Sequence, residues 1–365
     1  MRLEFFPSRT LTLYLAKLFA VRILAVLLAL IVVLQTLDLL GESGKILAVP
    51  GNGQGDILRY IGFRTPQLIA MFLSYSVLLA TIVTLATLNQ NSEVISMKAA
   101  GLSAHQVLAP LFLVSAVVAL TSFAFNERVV VRSTATLKAW QKAEYKQVPP
   151  DSAVRNDVFL RDGPNILAIG ALTGEGAAMR MENVSWYRRD GEGKVTQQIR
   201  AVRASYAGPG WRLEDATQFD VAAAMAQPIG SIVLAKGVTP AQAALGRIDP
   251  DAQDVFTLRR TIQAMQAAGR RTGEFEGKWW HKFAGPLAAL LMPLLGAVSA
   301  FGLARSGQLL LRAAIGMGLG FTYFVVDNAA LSMGSFGGYP PMIAAWAPFL
   351  LFALIGETVL LRSEE

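Results

Sequence analysis

The chain has 365 residues, of which 53% are hydrophobic and only 16% are charged, with a formal net charge of +7. Soluble domains contain roughly 25% charged residues, so this composition argues against a chain made only of soluble domains. The absence of cysteine excludes disulfides and thiolate metal or redox sites. The positive charge is spread over loops without a DNA- or RNA-binding motif, and we expect no nucleic-acid partner.

Long uncharged runs divide the chain into six candidate membrane spans. A transmembrane helix needs about 20 mostly apolar residues, and each run with its flanks approaches this length. The first run is too long for a cleavable signal peptide, so we expect it to remain as an anchor. The predicted spans are residues 13–40, 66–88, 106–126, 280–304, 309–333 and 340–361.

A polar segment, residues 127–278, lies between the third and fourth spans and holds 21 of the 33 Lys/Arg and 17 of the 26 Asp/Glu residues. Its start, 126–147, is expected to continue the third span as a helix until Pro149-Pro150. Short β-prone runs separated by the turns DGPN, TGEG, DGEG and AGPG follow, which predicts an antiparallel sandwich or jelly roll.

A return helix is predicted over residues 257–269. Thr257 is the expected N-cap, Gly269 stands at the C-terminal end, and an apolar stripe runs between them. This helix leads into the fourth span through WWHKF (279–283), whose tryptophans suit a membrane interface.

Basic residues in short loops predict the orientation of the spans. One side of the predicted membrane carries Arg2, Arg9, Lys17, Arg22, Lys98, Arg305, Arg312 and Arg362. The other side carries fewer basic residues, namely Lys45, Arg59 and Arg64. This bias favours cytoplasmic termini and therefore places the polar segment outside the cytoplasm.

Residues with catalytic potential are few. His105 and His281 stand at membrane borders far apart in sequence, and we expect both to be solvated rather than catalytic or metal-binding. The GNGQG stretch (51–55) has no following GK[ST], so it predicts a turn rather than a phosphate-binding loop. Asp327 is the acid deepest within an apolar run. It is either a polar contact between helices or an interface position near the outer leaflet, or else a residue lining a substrate path.

The polar stretch NQNSEVISMKAAGLS (89–103) lies between the second and third spans. With cytoplasmic termini, residues 89–105 face the cytoplasm as a short helix. Such a helix is either an ordinary connector or the element through which a membrane subunit docks onto a cytosolic motor.

Four segments, in this order, resemble the lipopolysaccharide export permease family LptF/LptG, and most of all its LptG-type members. The resemblance extends over nearly the whole chain. The segments are SEVISMKAAGLS (92–103), IDPDAQDVFTLRRTIQAMQAAG (248–269), KWWHKFAGPLAALLMPL (278–294) and RAAIGMGLGFTYFVVDN (312–328).

The resemblance implies an α-helical membrane protein with six transmembrane helices and an inserted all-β, jelly-roll-like periplasmic domain. Residues 1–126 would hold the first three spans and a coupling helix at about 89–105. Residues 127–278 would form the periplasmic domain, and residues 279–365 the last three spans.

The implied activity is that of a permease subunit of an ABC transporter in the inner membrane of a Gram-negative bacterium. It would extract lipopolysaccharide from the outer leaflet and pass it to a periplasmic bridge. The implied partners are an LptF-type permease, a cytoplasmic LptB-type ATPase dimer and a membrane-anchored LptC-type bridge protein. ATP would be bound and hydrolysed by the ATPase. This chain is therefore expected to bind no cofactor and to have no enzymatic activity of its own.

Three other interpretations stay open at this point. The first is a permease for another envelope lipid or a lipoprotein, the second an intramembrane enzyme that uses Asp327, and the third a passive scaffold for envelope assembly.

Glu93 matches the coupling-helix glutamate of the family, which contacts the ATPase, and Ser92, Met97 and Gly101 are expected to belong to the same contact. Lipopolysaccharide has several acyl chains and a phosphorylated head, so its site must pair an apolar wall with cations. The candidates are Leu34, Leu37, Asp38, Lys45, Arg59, Arg64, Phe72, Leu73, Phe321, Phe324 and Asp327.

One departure from the family concerns the end of the first span. Family members can carry lysines there that meet substrate phosphates, whereas this sequence has Gly41-Glu42. The phosphate contacts are therefore expected from Lys45, Arg59 and Arg64, or from the partner subunit.

Overall fold

The computed structural model of the chain describes residues 6–146, 155–174, 176–240, 243, 249–267, 270–301 and 309–362. Contacts divide the chain into two units. The helical unit comprises Met1–Lys146, Pro250–Ile262 and Arg271–Glu365. The β unit comprises Gln147–Asp249 and Gln263–Arg270.

Six helices among the described residues are long and apolar enough to span a membrane, which confirms the six predicted spans. The short helix α3 (Glu93–Ala99) joins the second to the third. The spanning helices are α1 (Arg9–Leu47), α2 (Gln54–Gln90), α4 (Ala104–Phe125) with its continuation, α7 (Gly273–Phe301), α8 (Leu309–Ser335) and α9 (Pro341–Arg362).

A π-helix, Asn126–Val130, connects α4 to α5 (Val131–Lys142), so the third span continues as a helix to Lys142. This confirms the predicted extension; the expected stop at Pro149-Pro150 lies outside the described residues. Leu137 and Trp140 of α5 join Ile46, Tyr60 and Tyr145 in one buried cluster. The extension therefore packs within the helical unit, whereas the sequence analysis grouped it with the polar segment.

The core of the helical unit depends on close approaches between helices. A Cβ added at Gly296 of α7 would lie 2.6 Å from Cγ2 of Thr81 on α2. One added at Gly320 of α8 would overlap the side chain of Leu78, also on α2. Small residues let helix axes approach where a larger side chain would separate them. Both α7 and α8 are thus held directly against α2.

The β unit contains one antiparallel sheet whose strands follow chain order, from the first to the sixth. An inserted all-β segment is therefore confirmed, but the jelly-roll connectivity is corrected to a meander. Short turns join consecutive strands, so each strand pairs with the one before it instead of crossing to a second sheet. The strands are β1 (Arg155–Asp162), β2 (Asn165–Thr173), β3 (Arg180–Arg189), β4 (Val195–Tyr206), β5 (Trp211–Asp220) and β6 (Met225–Leu234).

Strand β6 is not predicted from the sequence, because Pro228 and Gly230 interrupt its β-prone run. Proline cannot donate to a ladder hydrogen bond, which restricts it to edge strands and bulges. In the described sheet β6 pairs only with β5, where Pro228 stands opposite Thr217 next to an irregular register. An edge position therefore accommodates the proline.

The return helix is α6 (Val255–Ala267), and its cap differs from the prediction. Asp254, not Thr257, is the N-cap, since its Oδ1 accepts the backbone N–H of Thr257 at 2.8 Å and its carbonyl accepts that of Leu258. The hydrogen bond from the Thr257 backbone lowers the pKa of Asp254. Gly269, the expected end, lies outside the described residues.

Candidate functional site

The short helix α3 has well-defined ends. At its start Ser92 adopts the left-handed conformation, with φ of 59°. At its end Gly101 has φ of +86°, its N–H bonds to the carbonyl of Lys98, and the N–H of Leu102 bonds to that of Met97. This is the Schellman arrangement, in which a left-handed C′ residue closes the helix. Gly101 therefore ends α3, because the closing residue must adopt a left-handed backbone conformation that glycine tolerates.

The two faces of α3 have different environments. Val94 and Met97 are buried, with 4% and 8% of their surfaces exposed. Met97, which is expected at the ATPase contact, thus packs in the helical core and anchors α3. Ile95, which the sequence analysis did not single out, is 65% exposed, and Ser96 is exposed beside it. Ile95 and Ser96 form what we call the outward face of α3.

Glu93 is held by hydrogen bonds at the start of this helix. The Tyr14 hydroxyl of α1 lies 3.1 Å from Oε2 and 3.4 Å from Oε1 of the carboxylate. The Asn91 side-chain amide donates to Oε1 at 3.3 Å. The carboxylate is half-buried, and neither donor carries a charge. A carboxylate can accept about four hydrogen bonds, so this one retains acceptor capacity.

The C-terminal end of α1 and the N-terminal end of α2 meet through a polar network. Asp38 accepts a hydrogen bond from the Tyr60 hydroxyl at 2.6 Å and a two-pronged contact from Arg64, 3.1 Å at each oxygen. Arg64 also donates to Gln67 at 2.8 Å. Asp38 and Arg64, both predicted substrate residues, are therefore paired with each other. Bidentate guanidinium–carboxylate pairs are geometrically specific, so this one ties the two helices together.

The other two predicted cations also have partners within the chain. The guanidinium of Arg59 lies 5.1 Å from the centre of the Trp140 ring, a cation–π contact. Lys45 Nζ lies 2.8 Å from Glu42 Oε1, and the lysine side chain is 65% exposed. Lys45 is thus an accessible cation near the C-terminal end of α1.

Lys45 borders a cavity of about 480 Å³ between the end of α1 and the segment after α5. Within it, Tyr145 donates to Glu42 at 2.5 Å, and Lys146 pairs with Glu144 at 2.8 Å. Burial, together with the hydrogen bond to Glu42, raises the pKa of Tyr145 to about 12. The cavity is lined by Glu42, Lys45, Ala48, Val49, Gln141, Glu144, Tyr145 and Lys146.

Two of the predicted apolar residues meet through a tyrosine. The Phe324 ring of α8 stacks on Tyr75 of α2, with centroids 3.8 Å apart, and Phe72 lies 5.8 Å from the same tyrosine. The close approach at Gly320, one turn before Phe324, brings these helices together. Sequence reasoning missed Tyr75, which stands three residues after Phe72 and so on the same helix face.

The remaining apolar candidates are spread over other surfaces. Leu73 packs against the helical core, and Leu34 is half-buried on α1. Leu37 and Phe321 are 60% and 63% exposed. A cluster uniting all the predicted apolar residues does not form among the described contacts; the aromatic group of Phe72, Tyr75 and Phe324 is the part that the structure brings together.

Asp327 has a partner that the sequence analysis set aside. Its Oδ2 lies 2.9 Å from Nε2 of His281 on α7, and only 7% of the aspartate is exposed. His281 is therefore not simply solvated, and Asp327 is a polar contact between α7 and α8. His105 likewise pairs with Glu357 of α9 at 2.8 Å.

A second buried pair was also missed. Lys282 Nζ lies 2.7 Å from Oε1 of Glu127 in the π-helix, and Oε2 accepts the N–H of Val255 at 2.6 Å. Glu127 thus connects the third span, the start of α6 and the third turn of α7. The sequence does not indicate this pairing, because 155 residues separate the lysine from the glutamate.

Comparison with known proteins gives a family and relatives of similar length. The family described as lipopolysaccharide export system permease LptF/LptG matches residues 13–362. The lipopolysaccharide export system permease protein LptG of Escherichia coli (strain K12) is 24% identical over 322 residues, covering 86% of this chain and 88% of the relative. The LptG protein of Haemophilus influenzae (strain ATCC 51907 / DSM 11121 / KW20 / Rd) is 22% identical over 336 residues, covering 86% and 89%.

Proposed function

The chain belongs to the LptF/LptG family of lipopolysaccharide export system permeases, and we propose that it is an LptG-type subunit of an ABC transporter. It is a multi-pass inner-membrane permease that acts in lipopolysaccharide transport. The observation that carries this function is the family match from residue 13 to 362, which includes all six apolar helices and the inserted β unit. ATP hydrolysis belongs to a separate LptB-type ATPase dimer in this proposal. An LptF-type permease and an LptC-type bridge protein complete the assembly.

The proposed ATPase contact is the outward face of α3 together with Glu93. An exposed isoleucine beside a carboxylate fits a cleft with an apolar floor and a donor at its rim. Gly101 and the buried pair Val94 and Met97 hold this face in place. Because α3 is packed against the helical bundle, a displacement of α3 by the ATPase moves the bundle and is not absorbed by a flexible loop.

The proposed head-group site is the cavity beside Lys45. Lys45 and Lys146 each hold a carboxylate there, at 2.8 Å. The pair of Lys146 and Glu144 is exposed on both sides and contributes about 0–1 kcal/mol, and the Lys45 side chain is itself 65% exposed, so both ammonium groups are accessible to a substrate phosphate. The acyl chains are proposed to contact the aromatic group of Phe72, Tyr75 and Phe324.

The proposed orientation has both termini in the cytoplasm and the β unit in the periplasm, on the basis of the basic residues near α3 and the N-terminus. The chain has no cysteine, so single cysteines report without background. A cysteine at Gly191, an exposed turn position with open space for a side chain, should react with a membrane-impermeant thiol reagent in spheroplasts. One at the exposed Ser96 should not react. Reversed labelling would overturn the orientation.

The function is tested by purification and by Glu93 variants. An LptB-type ATPase and a second permease should co-purify with the parent chain in detergent. Glu93→Ala should weaken ATPase association and lipopolysaccharide release, because a charged contact is lost and its partner is left unpaired. Glu93→Gln keeps the size and shape of the side chain and removes only its charge, so it measures the contribution of the charge. Unchanged association and release in Glu93→Ala would remove Glu93 from the coupling role.

The substrate site is tested by photocrosslinking, with an antibody to lipopolysaccharide as readout. Crosslinkers at Phe72 and Phe324 should give adducts. A crosslinker at Leu28, which is 64% exposed on α1, serves as a control facing bulk lipid. Equal labelling at all three positions would mean that the substrate merely surrounds the protein, and the proposed acyl site would be wrong.

A further inference from the structure

Tyr14 lies in the second turn of α1 and reaches across to the first residue of α3. Its hydroxyl is within hydrogen-bonding distance of both oxygens of Glu93, at 3.1 and 3.4 Å, across 79 residues of sequence. The phenol has one proton to donate, and an ionised carboxylate is its natural acceptor. This contact joins the proposed coupling glutamate to the first span.

Both ends of the contact are held by buried side chains. Leu15 and Phe19, just after Tyr14, have no exposed surface, and they belong to the same apolar cluster as Val94 and Met97 of α3. Both helices are therefore anchored in the same apolar core close to this contact. The hydrogen bond leaves part of the carboxylate able to accept from a further donor.

The helix that carries Tyr14 extends to the other proposed site. α1 is an uninterrupted helix of 39 residues, about 58 Å long at 1.5 Å per residue. Asp38 and Lys45 stand near its far end, the first bonded to Arg64 and the second bordering the cavity. One rigid element thus runs from the Glu93 contact to the proposed head-group site.

We propose that Tyr14 is a positioning residue for Glu93, and that through it α1 follows α3 when the ATPase moves that helix. The inference rests on the proposed coupling role of Glu93. Tyr14 orients the carboxylate for the ATPase before docking, which lowers the entropy lost on binding. During the stroke it carries the displacement of α3 into the first span.

The test is a double-mutant cycle with Tyr14→Phe and Glu93→Ala in the complete transporter, reconstituted in nanodiscs. Tyr14→Phe keeps the ring and removes only the hydroxyl, so folding should be preserved. Two quantities are measured: the affinity for the LptB-type ATPase and the lipopolysaccharide released per ATP hydrolysed. Tyr14→Phe should weaken ATPase binding roughly two- to tenfold, and it should lower the release per ATP. In the Glu93→Ala background the same substitution should have no further effect.

The outcomes separate this inference from the proposed function. If Glu93→Ala has no effect on ATPase binding or release, both the coupling role and the role of Tyr14 fail. If Glu93→Ala impairs them while Tyr14→Phe matches the parent in both measurements, the coupling role stands and the positioning role is overturned. Additive effects in the double variant would show that Tyr14 acts independently of Glu93, which also overturns it. Leu13→Ala, which changes a neighbouring exposed side chain of α1, controls for effects of altering this surface and should match the parent.

Discussion

The ion pair between Glu127 and Lys282 offers a sharp test of what holds the helical unit together. The two side chains are only 16% and 10% exposed, and their charged atoms lie 2.7 Å apart. Removing one partner of a buried pair typically costs 3–5 kcal/mol, because the other charge stays in a poorly solvated site. Glu127 keeps the backbone N–H of Val255 at 2.6 Å, which partly compensates its charge. We therefore expect Lys282→Met to cost about 3 kcal/mol, at the lower end of that range.

Thermal unfolding in detergent, followed by tryptophan fluorescence, measures this cost. Trp279 is a local reporter, since its indole N–H donates to the carbonyl of Val255 at 3.1 Å. Lys278→Met is the matched control: its pair with Asp251 is also short, 3.1 Å, but the side chains are 33% and 53% exposed. Exposed pairs contribute about 0–1 kcal/mol, so this control should move the unfolding midpoint little.

A double variant completes the experiment. Glu127→Gln combined with Lys282→Met removes both charges while the introduced amide oxygen can still accept the N–H of Val255. Replacing both members of a buried pair is often close to neutral, so most of the lost stability should return. Equal losses in Lys282→Met and Lys278→Met would refute the reasoning. So would a double variant as unstable as Lys282→Met alone.

Three further predictions concern single positions. Gly101→Ala should destabilise the end of α3 by about 1–2 kcal/mol, because its φ of +86° is strained for an L-residue; ATPase association measured by co-purification should weaken although Glu93 is intact. Asp254→Ala should cost about 1 kcal/mol through loss of the N-cap. Because folding lowers the pKa of Asp254, the carboxylate stabilises the fold at neutral pH, and this contribution is lost as the pH falls through the folded-state pKa; unfolding midpoints of parent and variant should therefore converge in acid. Phe324→Asp should block lipopolysaccharide release in a reconstituted assay, since a charge placed against acyl chains costs a few kcal/mol, whereas Phe324→Leu should retain most of it.

Structural elements that depend on residues close together in the sequence were predicted well. Six apolar runs indicate six helices because the membrane demands about 20 apolar residues in a row and a backbone hydrogen-bonded within itself. The turns between β1 and β5 were recognised from their Gly, Asp, Asn and Pro residues, which define hairpins wherever they occur. The same logic missed β6, where Pro228 is tolerated only because of the strand's position in the sheet. It also misplaced the cap of α6 by three residues, which is a typical error at a helix boundary.

The sequence by itself determined the number and order of the spans, the inserted β segment and the short helix that carries Glu93. Only the tertiary structure decided which side chains meet: Tyr14 with Glu93, His281 with Asp327, and Lys282 with Glu127. It also decided that Met97 faces inward while Ile95 faces outward. The reason is that helix formation depends on neighbouring residues along the chain. Partners separated by 46 to 155 residues depend instead on how far each helix is rotated and how closely it packs, and close contacts such as those at Gly296 and Gly320 set both.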